Sequence, residues 1–125
     1  MYTALVVDDY AENWRSAKRW LEPRGVTTLY AENGEKALKI FQTCKVDVVV
    51  SDFYLGRKKM NGIELLCAIK GQEALKNVPV IMISYEQEVA EAGARLGAVG
   101  FLSKPLEEGL LLLHVFRALN LPIPP

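Results

Sequence analysis

The stretch Val46-Asp47-Val48-Val49-Val50-Ser51-Asp52 decides the fold. Its three adjacent valines do not alternate with polar residues, and an unbroken β-branched run fits a strand buried on both faces. Four other short apolar runs accompany this one, which is read as a strand over 46–50. They are Ala4-Leu5-Val6-Val7, Val26 to Tyr30, Val78 to Ile83 and Val99 to Leu102. Helical segments fill the gaps. The first runs from about Tyr10 to Glu22 and stops at Pro23 and Gly25. The second starts at Asn33 as N-cap, with Ala37, Leu38 and Phe41 on one face. The third starts near Asn61 with Ile63, Leu66 and Ile69 as its stripe, and the fourth spans Glu86 to Leu96 across Gly93. The fifth runs from about Pro105, at its first turn, to Leu119. Five strand–helix alternations predict an α/β fold: a doubly wound parallel sheet covered by helices on both faces.

Length and composition set the class. A chain of 125 residues, half of them hydrophobic, forms one domain burying roughly two-thirds of its unfolded surface. Fifteen basic residues balance fifteen acidic ones, which gives no general attraction to nucleic acid or anionic lipid. Two cysteines are too few for a disulfide framework, no apolar run is long enough for a membrane span, and the N-terminus does not read as a signal peptide. A cytoplasmic protein is expected. The segment Leu121-Pro122-Ile123-Pro124-Pro125 cannot extend a helix and reads as a tail or linker stub.

The polar residues that end the strands carry the chemistry. The first strand ends in Asp8-Asp9, the third in Ser51-Asp52, the fourth in Ser84 and the fifth in Ser103-Lys104. In an open parallel sheet these ends share one edge, where ligands bind. Asp9 alone reads as a helix cap; four matching strand ends do not. Two carboxylates about 4 Å apart repel by on the order of 4 kcal/mol at an effective dielectric near 20. Lys104 offsets part of that, and a metal ion would offset more. The donors are all oxygen, which selects Mg²⁺ over zinc. A carboxylate beside Mg²⁺, a lysine and a hydroxyl can accept a phosphoryl group. Asp52, on the central strand, is the candidate nucleophile.

These residues resemble the receiver domain of two-component response regulators, of the chemotaxis-regulator type. The matching pieces are Asp8-Asp9, Asp52, Asn61-Gly62, Ser84, Gly97-Ala98, Phe101 and Lys104-Pro105. The resemblance implies a flavodoxin-like five-stranded parallel sheet in the order 2-1-3-4-5 with five helices, a receiver domain over 1–120 and a tail over 121–125. It implies a signalling switch that catalyses its own phosphorylation and dephosphorylation. Asp52 would be the phosphoacceptor. Asp9, Asp52 and the backbone carbonyl of Tyr54 would bind Mg²⁺, with Asp8 acting largely through water. Ser84 and Lys104 would hold phosphoryl oxygens, and Phe101 would be the aromatic switch acting with Ser84 on the face of helix 4, strand 5 and helix 5. The partner would be a sensor histidine kinase or histidine phosphotransfer protein, in a stand-alone regulator or in the receiver module of a hybrid kinase. The rival from another class is a Mg²⁺-dependent Asp-nucleophile phosphatase, whose usual Asp-x-Asp motif and cap domain are missing.

The departures from the family pattern are local. The loop from Phe53 to Gly62 is longer than usual and contains Arg57-Lys58-Lys59, read as a partner contact or a solvated loop tip. Tyr54 follows Asp52 by two residues and is placed to slow water attack on a phosphoaspartate. Tyr85 follows Ser84 where a small residue is usual, which narrows access for small phosphodonors. Val99-Gly100 replaces the acidic residues of many DNA-binding regulators. Trp20 is expected in the core and Trp14 at the surface, where a kinase contact or ordinary packing fits equally. His114 reads as a surface or packing residue, and Cys44 and Cys67 as core. In the last helix Leu112, Val115, Phe116 and Leu119 can face the sheet. Leu110, Leu111 and Leu113 are left over, which suggests a homodimer or a partner domain.

Overall fold

A computed structural model of the chain describes residues 1–53, 61–85 and 88–125, with residues 88–90 as backbone only. Five strands, β1 (Tyr2–Val7), β2 (Val26–Ala31), β3 (Val48–Asp52), β4 (Val80–Ser84) and β5 (Gly100–Ser103), form one parallel sheet in the order β2-β1-β3-β4-β5. The helices are α1 (Ala11–Leu21), α2 (Gly34–Thr43), α3 (Gly62–Lys70), α4 (Glu88–Arg95) and α5 (Glu108–Ala118). This is the doubly wound parallel sheet that the alternation predicts, in the flavodoxin-like order that the resemblance implies.

The period-2 geometry of the strands sorts the core into two layers. Val6, Val48, Val50, Ile81 and Ile83 pack against Ala17 and Leu21 of α1 and Leu111, Leu112, Val115 and Phe116 of α5. Leu5, Val7, Val49 and Met82 pack on the other face against Ala37, Leu65, Leu66 and Ile69. All five residues of β3 are buried, as a central strand requires.

Several boundaries differ from the sequence reading. β3 begins at Val48, because Asp47 instead exchanges bonds with Thr3, whose N–H donates to the Asp47 carboxylate at 2.8 Å. β4 begins after Pro79, which has no N–H to give to the ladder. Both strands run on to include Asp52 and Ser84, so these side chains sit on ladder residues. α5 begins at Glu108, three residues beyond Pro105. The ladder continues past β5 through the Lys104 N–H to the Ser84 carbonyl, and residues 105–107 turn the chain back toward the helix.

Burial corrects four side-chain expectations. Leu111 lies in the core, which leaves Leu110 and Leu113 as the less buried leucines of that run. Cys44 and Cys67 are exposed: Cys44 is the C-cap of α2, and on α3 the inner positions go to Leu65, Leu66 and Ile69. Trp14 is half-buried, because its ring stacks on Tyr30 with centroids 5.1 Å apart. Trp20 is half-buried and packs against the core.

Candidate functional site

The carboxyl edge of the sheet brings together side chains that lie far apart in sequence. Asp8 follows β1, Asp52 ends β3, Ser84 ends β4 and Lys104 follows β5. One carboxylate oxygen from each of Asp8, Asp9 and Asp52 lies within 4.8 Å of the others. Asp8 and Asp52 are buried and Asp9 is exposed. Lys104 Nζ donates to Asp52 Oδ2 at 2.6 Å and stands 4.0 Å from Asp8 Oδ2.

The electrostatics follow from this crowding. Burial raises the pKa of Asp8 above the usual carboxylate range, and the Asp52 charge adds to that. Hydrogen bonds from the Tyr10 N–H and the Asn13 amide, with the Lys104 charge, oppose the shift without cancelling it. Burial alone would lower Lys104. The hydrogen bond to Asp52 and the charges of Asp8 and Asp52 outweigh it, so the ammonium is held above the usual lysine value. Among the described residues, three carboxylates and one ammonium leave an excess of negative charge, the condition under which an acidic oxygen cluster could bind a hard cation.

Local sequence holds each piece. The N-cap of α1 is Tyr10, without a side-chain cap bond, so Asp9 is not consumed as a cap. Asn61 caps α3 by accepting from the Glu64 N–H at 2.8 Å, and Glu64 returns the bond to the Asn61 N–H. Gly62 lets this helix end approach the phosphoacceptor candidate. A Cβ there would lie 2.2 Å from the Asp52 carbonyl oxygen, and the Gly62 N–H instead donates to the Phe53 carbonyl. Gly97 ends the α4 segment at φ +104, a conformation that favours glycine.

Ser84 is buried, and its carbonyl accepts the Lys104 N–H at 3.0 Å. Tyr85 is 77% exposed, with its ring centroid 5.5 Å from Lys104 Nζ. Phe101 is half-buried, is paired in register with Met82, and lines a 260 Å³ cavity with Ala94, Ala98, Val99 and Gly100. Tyr54 and Arg57-Lys58-Lys59 lie outside the described residues. Gly100 has a packing reason: a Cβ would stand 2.7 Å from Nδ1 of His114, which is half-buried there. Asn13 and Tyr30 were missed by the sequence reading. The available signal for Asn13 was a polar residue on the inward face of α1 beside Ala17 and Trp20.

Comparison with known proteins identifies the family. Residues 4–116 match the family model described as response regulator receiver domain. The chain is 34% identical to chemotaxis protein CheY of Pseudomonas aeruginosa, over 93% of this chain and 97% of that protein. The structure of chemotaxis response regulator CheY4 of Vibrio cholerae superposes with TM-score 0.86 at 30% identity, covering 94% of this chain and 98% of that one. NtrX from Brucella abortus gives TM-score 0.87 at 32% identity, covering 94% of this chain and 27% of the longer NtrX chain. The chain belongs to the response regulator receiver domain family.

Proposed function

We propose that this receiver domain is a phosphorylation switch whose acceptor is Asp52. The observation that carries the reading is the Lys104 ammonium, 2.6 Å from Asp52 and 4.0 Å from Asp8 in a three-carboxylate cluster. The domain spans 1–120 with 121–125 as its tail, and it works in the cytoplasm. Among the described residues no helix is long and apolar enough to cross a membrane.

The donor is a phosphohistidine on a sensor histidine kinase or a histidine phosphotransfer protein. A carboxylate oxygen of Asp52 forms the new P–O bond as the P–N bond to the imidazole breaks, and water later releases inorganic phosphate. Asp9, Asp52 and the Tyr54 carbonyl would hold Mg²⁺, with Asp8 acting through water. Bound there, the ion would neutralise charge on the transferring group. Lys104 pairs with one phosphoryl oxygen and the Ser84 hydroxyl donates to another. The movement of Ser84 lets Phe101 turn inward, and the open volume beside that ring supports such a motion. The α4–β5–α5 face then changes shape and carries the signal.

A receiver module within a hybrid kinase fits the same site. One solved receiver domain of a signal transduction histidine kinase, from Syntrophus aciditrophicus, matches with TM-score 0.85 at 28% identity over 96% of this chain and 91% of that chain. No observation favours the phosphatase. Burial of Leu111 narrows the basis for a homodimer through α5 to Leu110 and Leu113.

The test is phosphorylation by a kinase donor and by acetyl phosphate with Mg²⁺, read by intact mass. Wild type gains one phosphoryl group and Asp52→Asn gains none. Equal labelling of the two forms would overturn the assignment.

A further inference from the structure

Asp8 and Asp9 are neighbours in sequence and are held in opposite ways. Asp8 is fixed at four points. Its N–H donates to the Ala31 carbonyl at 3.1 Å, and its own carbonyl accepts the Tyr30 hydroxyl at 2.8 Å. Its Oδ1 accepts the Tyr10 N–H at 2.9 Å, and its Oδ2 accepts the Asn13 side-chain amide at 2.8 Å. Tyr30 is itself braced by its stack on Trp14, and Lys18 Nζ lies 5.3 Å from the other aromatic partner's ring centre. The Asp9 carboxylate has no hydrogen bond or ion pair among the described residues and is exposed.

A ligand to a hard cation must turn a lone pair toward the ion. Each Asp8 oxygen already accepts one protein donor, which fixes the direction of the lone pairs that remain and suits Asp8 to act on the ion through water. We propose that Asn13 is a positioning residue: it occupies Asp8 Oδ2, fixes Asp8 as a stationary negative charge beside Lys104, and leaves Asp9 and Asp52 to take the divalent cation. This rests on the metal and phosphoryl reading above. Removing an outer group that orients a metal-site carboxylate costs about 10- to 100-fold in metal affinity. Asn13 acts on the charge itself and Tyr30 only on the backbone that carries it, so the two variants rank in that order.

The experiment titrates the full chain with Mg²⁺ alone, followed by tryptophan fluorescence and by calorimetry, for wild type, Asn13→Ala and Tyr30→Phe. Asn13→Ala weakens Mg²⁺ binding about tenfold and Tyr30→Phe about threefold. Saturating Mg²⁺ restores acetyl-phosphate labelling of Asn13→Ala to the wild-type extent, which a general packing defect would not allow. If Asn13→Ala fails to fold, Tyr30→Phe decides by the same two readouts. Unchanged Mg²⁺ affinity in a folded variant overturns the inference, as does a labelling defect that saturating Mg²⁺ leaves in place. A wild-type chain that neither binds Mg²⁺ nor gains a phosphoryl group overturns the functional reading itself.

Discussion

Two lysines at opposite edges of the sheet show how surroundings assign different work to the same residue. Lys104 follows β5 at the carboxyl edge and donates to Asp52. Lys70 ends α3 near the amino edge and donates to the carbonyls of Lys76 and Val78, at 3.0 and 2.9 Å. Charged partners hold Lys104 above the usual lysine range despite its burial, whereas burial lowers Lys70, whose partners are neutral. Carbonyl dipoles satisfy an ammonium without matching its charge, and carboxylates do both. Lys70 fastens the segment between α3 and β4, and its stem lies under Gly97. Lys104 instead meets two buried carboxylates in a crowded acidic cluster.

Replacing each lysine by methionine gives the largest separation. Lys104→Met slows phosphoryl turnover on Asp52 about 100-fold, the usual cost of removing one preorganised donor from a developing charge. Lys70→Met leaves turnover within about twofold and costs about 1 kcal/mol in urea unfolding, chiefly through the part-buried Val78 carbonyl. Equal turnover in the two variants would erase the contrast.

Alkaline titration separates them by sign. The stability from Lys104 is fully present below the ordinary lysine pKa, about 10.4, and is lost as pH rises through its raised folded value. Lys70 is the reverse: its lowered pKa penalises the folded state in its charged form, and the penalty fades as pH rises toward about 10.4. Relative to wild type, the deficit of Lys70→Met therefore widens as that value is approached. The deficit of Lys104→Met narrows beyond it. Urea midpoints across this range measure both slopes, and parallel curves would contradict the assigned surroundings.

The smallest effect concerns the ring beside Lys104. A cation–π contact at an exposed site is worth about 0.5–1 kcal/mol, so Tyr85→Ala raises the acetyl-phosphate labelling rate about threefold by freeing the ammonium and widening the entry. Tyr85→Phe, which keeps the ring face, labels like wild type. If the phenylalanine variant also speeds up, the hydroxyl controls entry and the ring face does not.

The strand runs, the caps at Asn33 and Asn61 and the order of Asp8, Asp9, Asp52, Ser84 and Lys104 were legible because each rests on short-range rules: β-branching, capping and strand ends facing one edge. Misreadings arose where a side chain's partner lies far along the chain. Trp14 was placed at the surface because its helix position points away from Trp20, yet Tyr30 of β2 offers a ring to stack on. Leu111 was counted as surplus because four consecutive leucines cover more than one helix face, and only the angle at which α5 meets the sheet selects among them. Asn13 differs: its partner Asp8 Oδ2, 2.8 Å away, lies only five residues back, and the bond depends on how the chain turns between β1 and α1.

By itself the sequence determined the alternation of strands and helices, the parallel sheet, and which oxygen-bearing residues meet at its carboxyl edge. Those features follow from hydrophobic period and chain connectivity, which are local and additive. Only the tertiary structure decided which carboxylate is locked and which is exposed, that Lys104 sits on Asp52, and that Gly62 is needed where α3 meets β3. Each of these depends on distances of a few ångströms between segments that are remote in sequence. Electrostatic and steric energies change steeply over such distances, and no periodicity in the chain encodes them.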